Sequence, residues 1–206
     1  MPVQIIDCEQ RSPEWYAARL GIPTASEFST IVATGRGGGE SAGRKTYMLK
    51  LAGEIVTGDP MPSFESADMV RGKEMEVEAC NFYQLVNNVE LTQVGFMRNG
   101  RCGASPDRLI STNGGLEIKT ALTHILGELI LKDEFPPKHK GQVQGCLMVS
   151  EREWWDIMVY CPKMPPLVKR AYRDEAYIAA LRKGISLFNE ELDEIVDRIR
   201  NYGVAA

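Results

Sequence analysis

The sequence predicts an α/β fold, a central mixed β-sheet flanked by helices. Three observations carry this. Four helical patterns lie between residues 11 and 87, with a Gly-rich loop between the second and third. Short β-patterned runs with turn signals occupy residues 89–121. A helical segment, two more strand-like runs and a long charged helix follow. With 206 residues and 44% hydrophobic content the chain can bury one sizeable core, so one domain over residues 1–206 is expected.

The elements follow in order. "RSPEWYAARLG" (11–21) offers Ser12 as N-cap, Pro13 at the first helical position and Gly21 beyond the end. "TASEFSTIVATG" (24–35) reads as a second short helix stopping near Gly35. "GRKTYMLKLAGEIVTG" (43–58) repeats at helical spacing through Tyr47, Leu51 and Ile55, and residues 67–87 form a long helix. "VELTQVGFMRNG" (89–100), "RCGASPDRLIS" (101–111) and "GGLEIKTA" (114–121) read as strands separated by Asn-Gly turns. "PPKHKGQVQGCLMVSE" (136–151) becomes helical after Pro136-Pro137, and "EWWDIMVYC" (153–161) and "PPLVKRAYR" (165–173) are strands. A last helix runs from about Asp174 to Asn201, its mixed charges reading as a solvated outer face.

Composition narrows the function classes. No apolar run approaches a membrane span, and the N-terminus lacks a basic segment followed by an apolar one, so a cytoplasmic protein without a membrane partner is expected. Five scattered cysteines argue against a disulfide framework or a zinc site, and two separated histidines against a histidine metal cage. The net charge of −4 does not veto nucleic acid, because a local basic groove can coexist with an acidic exterior. The loop "GRGGGESAG" (35–43) nearly matches a phosphate-binding loop. It fails because Arg44 displaces Lys45 by one position and no buried strand precedes it.

The charges in residues 103–121 ask for an explanation. Alternation points Glu117 and Lys119 to one strand face and Ile118 to the other. A hairpin would bring Asp107 to the same place. Two facing carboxylates repel unless a cation or proton lies between them. A hard divalent cation suits such oxygen ligands, and the Ile118 carbonyl could add another. Lys119 would then stand beside a reacting phosphate or water. A solvated ion-pair ladder is the alternative. Glu76 lies on the less polar side of the long helix with Met69, Gly72, Cys80 and Tyr83, where an acid needs a partner; a third carboxylate at the same site and an isolated structural ion pair are its two readings, while Glu74 and Glu78 read as solvent-facing. Arg19 and Ser26, near a helix start, could form a phosphate pocket; N-capping by Thr24 or Ser26 and a surface Arg19 are the alternatives.

Five blocks, "EWYAARLGIPTASEFSTIVA", "RGKEMEVEA", "ASPDRLI", "LEIKTA" and "GQVQGCLMVS", occur in an order that resembles the phage lambda exonuclease family. These are the YqaJ-like viral recombinases of the PD-(D/E)XK nuclease superfamily, and the likeness spans roughly residues 10–200. The resemblance implies a restriction-endonuclease-like core. It implies Asp107, Glu117, the Ile118 carbonyl and Glu76 as metal ligands and Lys119 as the catalytic lysine. Gln142 matches the glutamine of the late helix motif, and Arg19 and Ser26 the pocket for a DNA 5′-phosphate. The implied activity is a Mg²⁺-dependent 5′-to-3′ exonuclease on double-stranded DNA, with Mn²⁺ as an alternative ion and two ions per site. A ring-shaped homotrimer, a single-strand annealing protein and action in the bacterial host cytoplasm are implied as well. An endonuclease or resolvase on the same core and a non-catalytic DNA-binding subunit remain the alternatives. A basic channel containing Arg36, Arg44 and Lys45 is the expected route for the duplex.

Overall fold

The computed structural model describes residues 2–35, 37–61 and 67–203. The readings made for Arg36 and for the side chains of Met69 and Glu74 lie outside the described residues. The chain starts with β1 (Gln4–Ile6) and α1 (Pro13–Arg19). The Ser12 hydroxyl accepts the Trp15 N–H and Pro13 fills the first position, as the sequence predicts. The second helix is shorter than its pattern: Ala25–Glu27 is a 3₁₀ turn and α2 covers only Phe28–Val32. Beyond Ala33 the backbone is extended, because Thr34 pairs with Glu40 across the Gly-rich loop. The next helix, α3 (Ala42–Thr57), is capped by the Ser41 hydroxyl and ends at Gly58 in the left-handed region. It is followed by α4 (Ala67–Asn87), within the predicted bounds.

Five strands follow: β2 (Leu91–Thr92), β3 (Phe96–Asn99), β4 (Cys102–Ala104), β5 (Arg108–Ile110) and β6 (Gly114–Thr120). Two predicted strands have therefore split. Their first and second halves belong to different sheets, with β1-β3-β4 forming a small sheet and β2 and β5 joining the large one. Pro106 has no N–H for a ladder, so the chain leaves one sheet there before entering the other. Gly95 makes the equivalent break on the preceding strand, passing so close to Cys8 that a Cβ would lie 2.4 Å from its carbonyl oxygen.

After β6 come α5 (Thr123–Lys132), a 3₁₀ turn at Pro137–His139, α6 (Lys140–Ser150), β7 (Trp154–Tyr160), β8 (Leu167–Tyr172) and α7 (Glu175–Arg200). The large sheet has the order β2-β5-β6-β7-β8, antiparallel except for the parallel β6–β7 pair. A parallel pair needs a crossover, and α5 with α6 supplies it. The sequence pattern predicts no element over Thr123–Lys132, where α5 lies.

The crossover gives β6 two different faces. Leu116 and Ile118 pack with Ala79, Cys80 and Tyr83 of α4. On the other side, Val143, Cys146 and Leu147 of α6 pack with Leu109, Trp155 and Ile157, joined by α2, α3 and α7. Helix α7 buries Ile178, Leu181, Ile185, Phe188, Leu192 and Val196 and turns its charges outward, as expected of an amphipathic helix. Two glycines bring α6 close to the 3₁₀–α2 segment. A Cβ on Gly141 would sit 1.9 Å from Ser29 Oγ, and one on Gly145 would sit 2.5 Å from the Phe28 ring. This close approach sets the walls of the site described next.

Candidate active site

Glu117 is 3% exposed, on the β6 face that looks toward α6. Its Oε1 accepts from Lys119 Nζ at 2.7 Å and from Gln142 Nε2 at 2.5 Å. Gln142 reaches it from the first turn of α6 because the crossover lays that helix over β6. The other glutamine of "GQVQG", Gln144, does structural work instead: it donates to the Tyr172 carbonyl and accepts the Asp174 N–H. Asp107 lies just before β5, where its Oδ2 accepts the Ile118 N–H at 2.6 Å. In an extended strand the N–H and C=O of one residue point to the same edge, so the Ile118 carbonyl also faces the Asp107 side.

The carboxylates of this group lie close enough to oppose each other's charge. Burial, then Glu117 and then Glu76, raise the Asp107 carboxyl well above the usual range. Burial pulls Lys119 down, but Glu117 and Asp107 outweigh it and hold the ammonium above the ordinary lysine value. Glu117 Oε2 is buried without a hydrogen-bond partner. An orphaned carboxylate oxygen costs several times what a hydrogen bond contributes. A divalent cation would satisfy it, and the donor set of Asp107, Glu117 and the Ile118 carbonyl is all oxygen, which suits Mg²⁺ or Mn²⁺. Lys119 is the only cation already in contact with Glu117 among the described residues, and it leaves Oε2 unmet.

The same cavity, about 180 Å³, extends to Arg19, Thr24 and Ser26. Arg19 stands at the C-terminal end of α1, its guanidinium 3.9 Å from the centre of the Trp15 ring. Its Nη1 donates to Ser105 Oγ at 3.1 Å, and the same oxygen accepts the Trp15 indole N–H at 2.9 Å. Burial lowers the Arg19 guanidinium, and among the described residues no carboxylate forms an ion pair with it. A desolvated guanidinium stacked on an indole and open to a cavity is suited to an anion. Ser26 is exposed at the cavity's edge, with its hydroxyl 3.3 Å from Thr24 Oγ1. It belongs to a 3₁₀ turn and not to the start of a long helix, so the helix-dipole reason for choosing it carries little weight here.

Glu76 is placed at the periphery. Its Oε1 accepts from Arg108 Nη1 at 3.1 Å. It is close enough to raise Asp107, yet among the described residues no three His, Cys, Asp or Glu side chains gather as a metal-binding group. The expected basic channel is also rearranged. Arg44, with a side chain 11% exposed, is committed to Glu40 at 2.8 Å and Glu191 at 2.6 Å. Lys45 lines a separate groove of about 560 Å³ between α3 and α7, with Leu49 and Arg198. Glu191 is 147 residues from Arg44, which is why the local sequence offered no sign of the pairing.

Sequence reasoning missed Ser105, Trp15, Gln10 and Arg11, all of which line the cavity. Ser105 stands two positions before Asp107 and stands out in the sequence only as a member of the block "ASPDRLI". Cys146 also lines the cavity, with burial and then Glu117 and Asp107 pushing its thiol well up. His139 is pushed down to about 4, first by burial and then by Lys119 and Lys138, so it is neutral near the lysine.

Known proteins share this fold. The structure of LHK-Exo in complex with dAMP superposes with a TM-score of 0.83 at 30% identity, covering 92% of this chain and 97% of that one. The alkaline exonuclease LHK-Exo from Laribacter hongkongensis gives 0.81 at 31% identity with the same coverage. A phage-related exonuclease from Haemophilus somnus 129PT shares the fold, with a TM-score of 0.65 at 13% identity over 86% of this chain and 96% of its own. No curated protein matches the chain significantly. The family model for the YqaJ-like viral recombinase domain matches residues 14–153, which include Arg19, Glu76, Asp107, Glu117, Lys119 and Gln142. With its mixed sheet, its paired carboxylates and this match over most of its length, the chain belongs to the YqaJ-like viral recombinase family.

Proposed function

We propose that this protein is a divalent-cation-dependent 5′-to-3′ exonuclease that degrades one strand of linear double-stranded DNA to mononucleotides. The 3′ single-stranded overhang it leaves would feed phage-type recombination by single-strand annealing. The observation that carries this reading is the shared cavity. It is lined by the Asp107 and Glu117 carboxylates and by the Arg19 guanidinium, which has no ion-pair partner among the described residues. A relative 30% identical was solved with dAMP, a mononucleotide, and the same relative is described as an alkaline exonuclease.

The chain's own residues divide the work. Arg19 and Ser26, joined by Ser105, take the terminal 5′-phosphate, which carries more charge than an internal diester, and Arg19 can engage two of its oxygens. That anchoring sets the direction of digestion. Asp107, Glu117 and the Ile118 carbonyl would hold Mg²⁺, or Mn²⁺ in its place, with Glu76 available for a second ion if it leaves Arg108. When bound, the metal supplies Lewis-acid polarisation of the phosphodiester and an activated water. Lys119, held as an ammonium by its two acidic neighbours, orients the water or the phosphate oxygens. Gln142 fixes the Glu117 carboxylate from above. A homotrimeric ring around the duplex, a single-strand annealing partner and action in the host cytoplasm complete the proposal. Among the described residues no helix is long and apolar enough to cross a membrane.

The test compares linear and covalently closed duplex DNA with Mg²⁺ and with EDTA. Mononucleotide release from linear DNA alone, stopped by EDTA, is expected; nicking of closed DNA would favour an endonuclease, and no cleavage a binding subunit. Linear DNA with a 5′-phosphate should be degraded faster than DNA with a 5′-hydroxyl. Arg19→Ala should lose about 1.5–3 kcal/mol of that preference, the value of one charge-assisted interaction. An undiminished preference in Arg19→Ala would remove this residue from the pocket.

A further inference from the structure

The turn before α1 carries an arginine in an unusual conformation. Arg11 has φ +74°, a region that a residue with a Cβ rarely adopts and that persists only where surrounding contacts impose it. Those contacts are present. The Gln10 side-chain amide donates to the Val94 carbonyl at 3.0 Å and to the Pro106 carbonyl at 2.9 Å. The Ser12 N–H closes the turn on the Glu9 carbonyl at 3.1 Å. Pro106 immediately precedes Asp107, so Gln10 ties this turn to the segment that delivers the first carboxylate. The turn in turn delivers Arg11, exposed, to the cavity that holds Arg19, Ser105, Asp107 and Glu117.

Charge balance gives this second arginine a task. A terminal phosphate monoester carries a charge of about −1.5 to −2 at neutral pH, with its second ionisation near pH 6, against −1 for an internal diester. Arg19 alone offsets one charge of that group. We infer that Arg11 and Arg19 form a two-arginine clamp, Arg19 from the buried wall and Arg11 from the mouth, and that Arg11 makes the pocket selective for a 5′-phosphate end over an internal diester. This rests on the reading of the cavity as the 5′-phosphate pocket.

Glycine is the informative substitution, because it removes the guanidinium while suiting a backbone at φ +74°. Initial rates would be measured for wild type, Arg11→Gly, Arg11→Lys and Arg19→Ala on 5′-phosphorylated and 5′-hydroxyl linear duplexes, with thermal midpoints alongside. Arg11→Gly should keep or raise the midpoint yet lower the kcat/KM preference for phosphorylated ends about tenfold, through KM more than kcat. Arg11→Lys, which keeps the charge without the fork, should fall between. A wild-type preference retained in Arg11→Gly would overturn the clamp while leaving the Arg19 pocket standing. An equal loss on both kinds of end would also overturn it, since Arg11 would then be a general DNA contact. Absence of any phosphate preference in the wild type would overturn the pocket reading itself, and the clamp with it.

Discussion

Asp107 and Glu117 place two carboxylates in one cavity, and in the metal-free protein this opposes stability. Burial and Glu117 raise the Asp107 carboxyl, which measures the cost of charging it there. Asp107→Asn removes that charge, and its side-chain oxygen can still accept the Ile118 N–H. The variant should therefore melt about 2–4 °C higher than wild type in EDTA, corresponding to about 1 kcal/mol in a chain of this size. It should also lose both cleavage and the rise in melting temperature that Mg²⁺ gives the wild type through mass action. A Mg²⁺-induced rise of wild-type size in Asp107→Asn, read by calorimetry, would take Asp107 out of the metal site. Lys119→Ala should behave differently, with cleavage lost and the Mg²⁺-induced rise kept, because the ammonium is not a ligand.

Helices are fixed to the sheet by buried polar links as well as by apolar packing. Tyr83 of α4 donates to Asp156 Oδ2 at 2.5 Å, and Arg170 of β8 binds both oxygens of the same carboxylate. Burial, and then Asp156, raise the Tyr83 phenol above its ordinary value, and burial pushes Tyr47 up to about 12. A folded pKa above the unfolded one contributes stability that is present below the unfolded value, near 10, and is lost as pH rises beyond it. Wild-type stability should thus fall above about pH 10. Tyr83→Phe should cost about 1–2 kcal/mol at pH 8 and show a shallower decline in the alkaline range, in denaturant titrations at each pH. At α3, Arg44→Ala breaks the contacts to Glu40, Glu191 and the Ile31 carbonyl. It should destabilise by about 1–2 kcal/mol, discounted because both acids are partly solvated. DNA affinity should stay within about twofold, and a large loss of affinity at wild-type stability would return Arg44 to the DNA path.

For the whole molecule the question is how a chain of net charge −4 engages a polyanion. Acids and bases are sorted spatially: Arg44, Arg101 and Lys140 are held in ion pairs with Glu191, Asp193 and Asp174. Arg11 and Arg19 face the cavity instead. A local cationic site on an acidic body should still give salt-sensitive binding. Affinity for linear duplex should fall with a log–log salt slope of about −3 or steeper, which reports three or more neutralised phosphates. A flat dependence between about 50 and 200 mM salt would contradict binding through backbone phosphates. Sedimentation with and without duplex would test the proposed trimer.

Local order was legible in the sequence because its causes are local. The Ser12 cap, Pro13 at the first helical position and the bounds of α4 all follow from residues within a few positions of each other. Glu117 and Lys119 on one face of β6, with Ile118 on the other, follow from the two-residue repeat of a strand. The five motif blocks supplied the family, and they contain Asp107, Glu117, Lys119 and Gln142, which the fold brings together. Tertiary structure decided what depends on distant partners. The division of two predicted strands between sheets required β1, and α5 exists as the crossover to a strand some forty residues away from the start of β6. Gln142 meets Glu117 only because two glycines let α6 settle against the 3₁₀ turn. Arg44 binds an acid 147 residues away, and Gln10 holds a carbonyl 96 residues away. Periodicity records which face of an element is buried, but not what lies opposite that face, so these pairings left no trace in the local sequence.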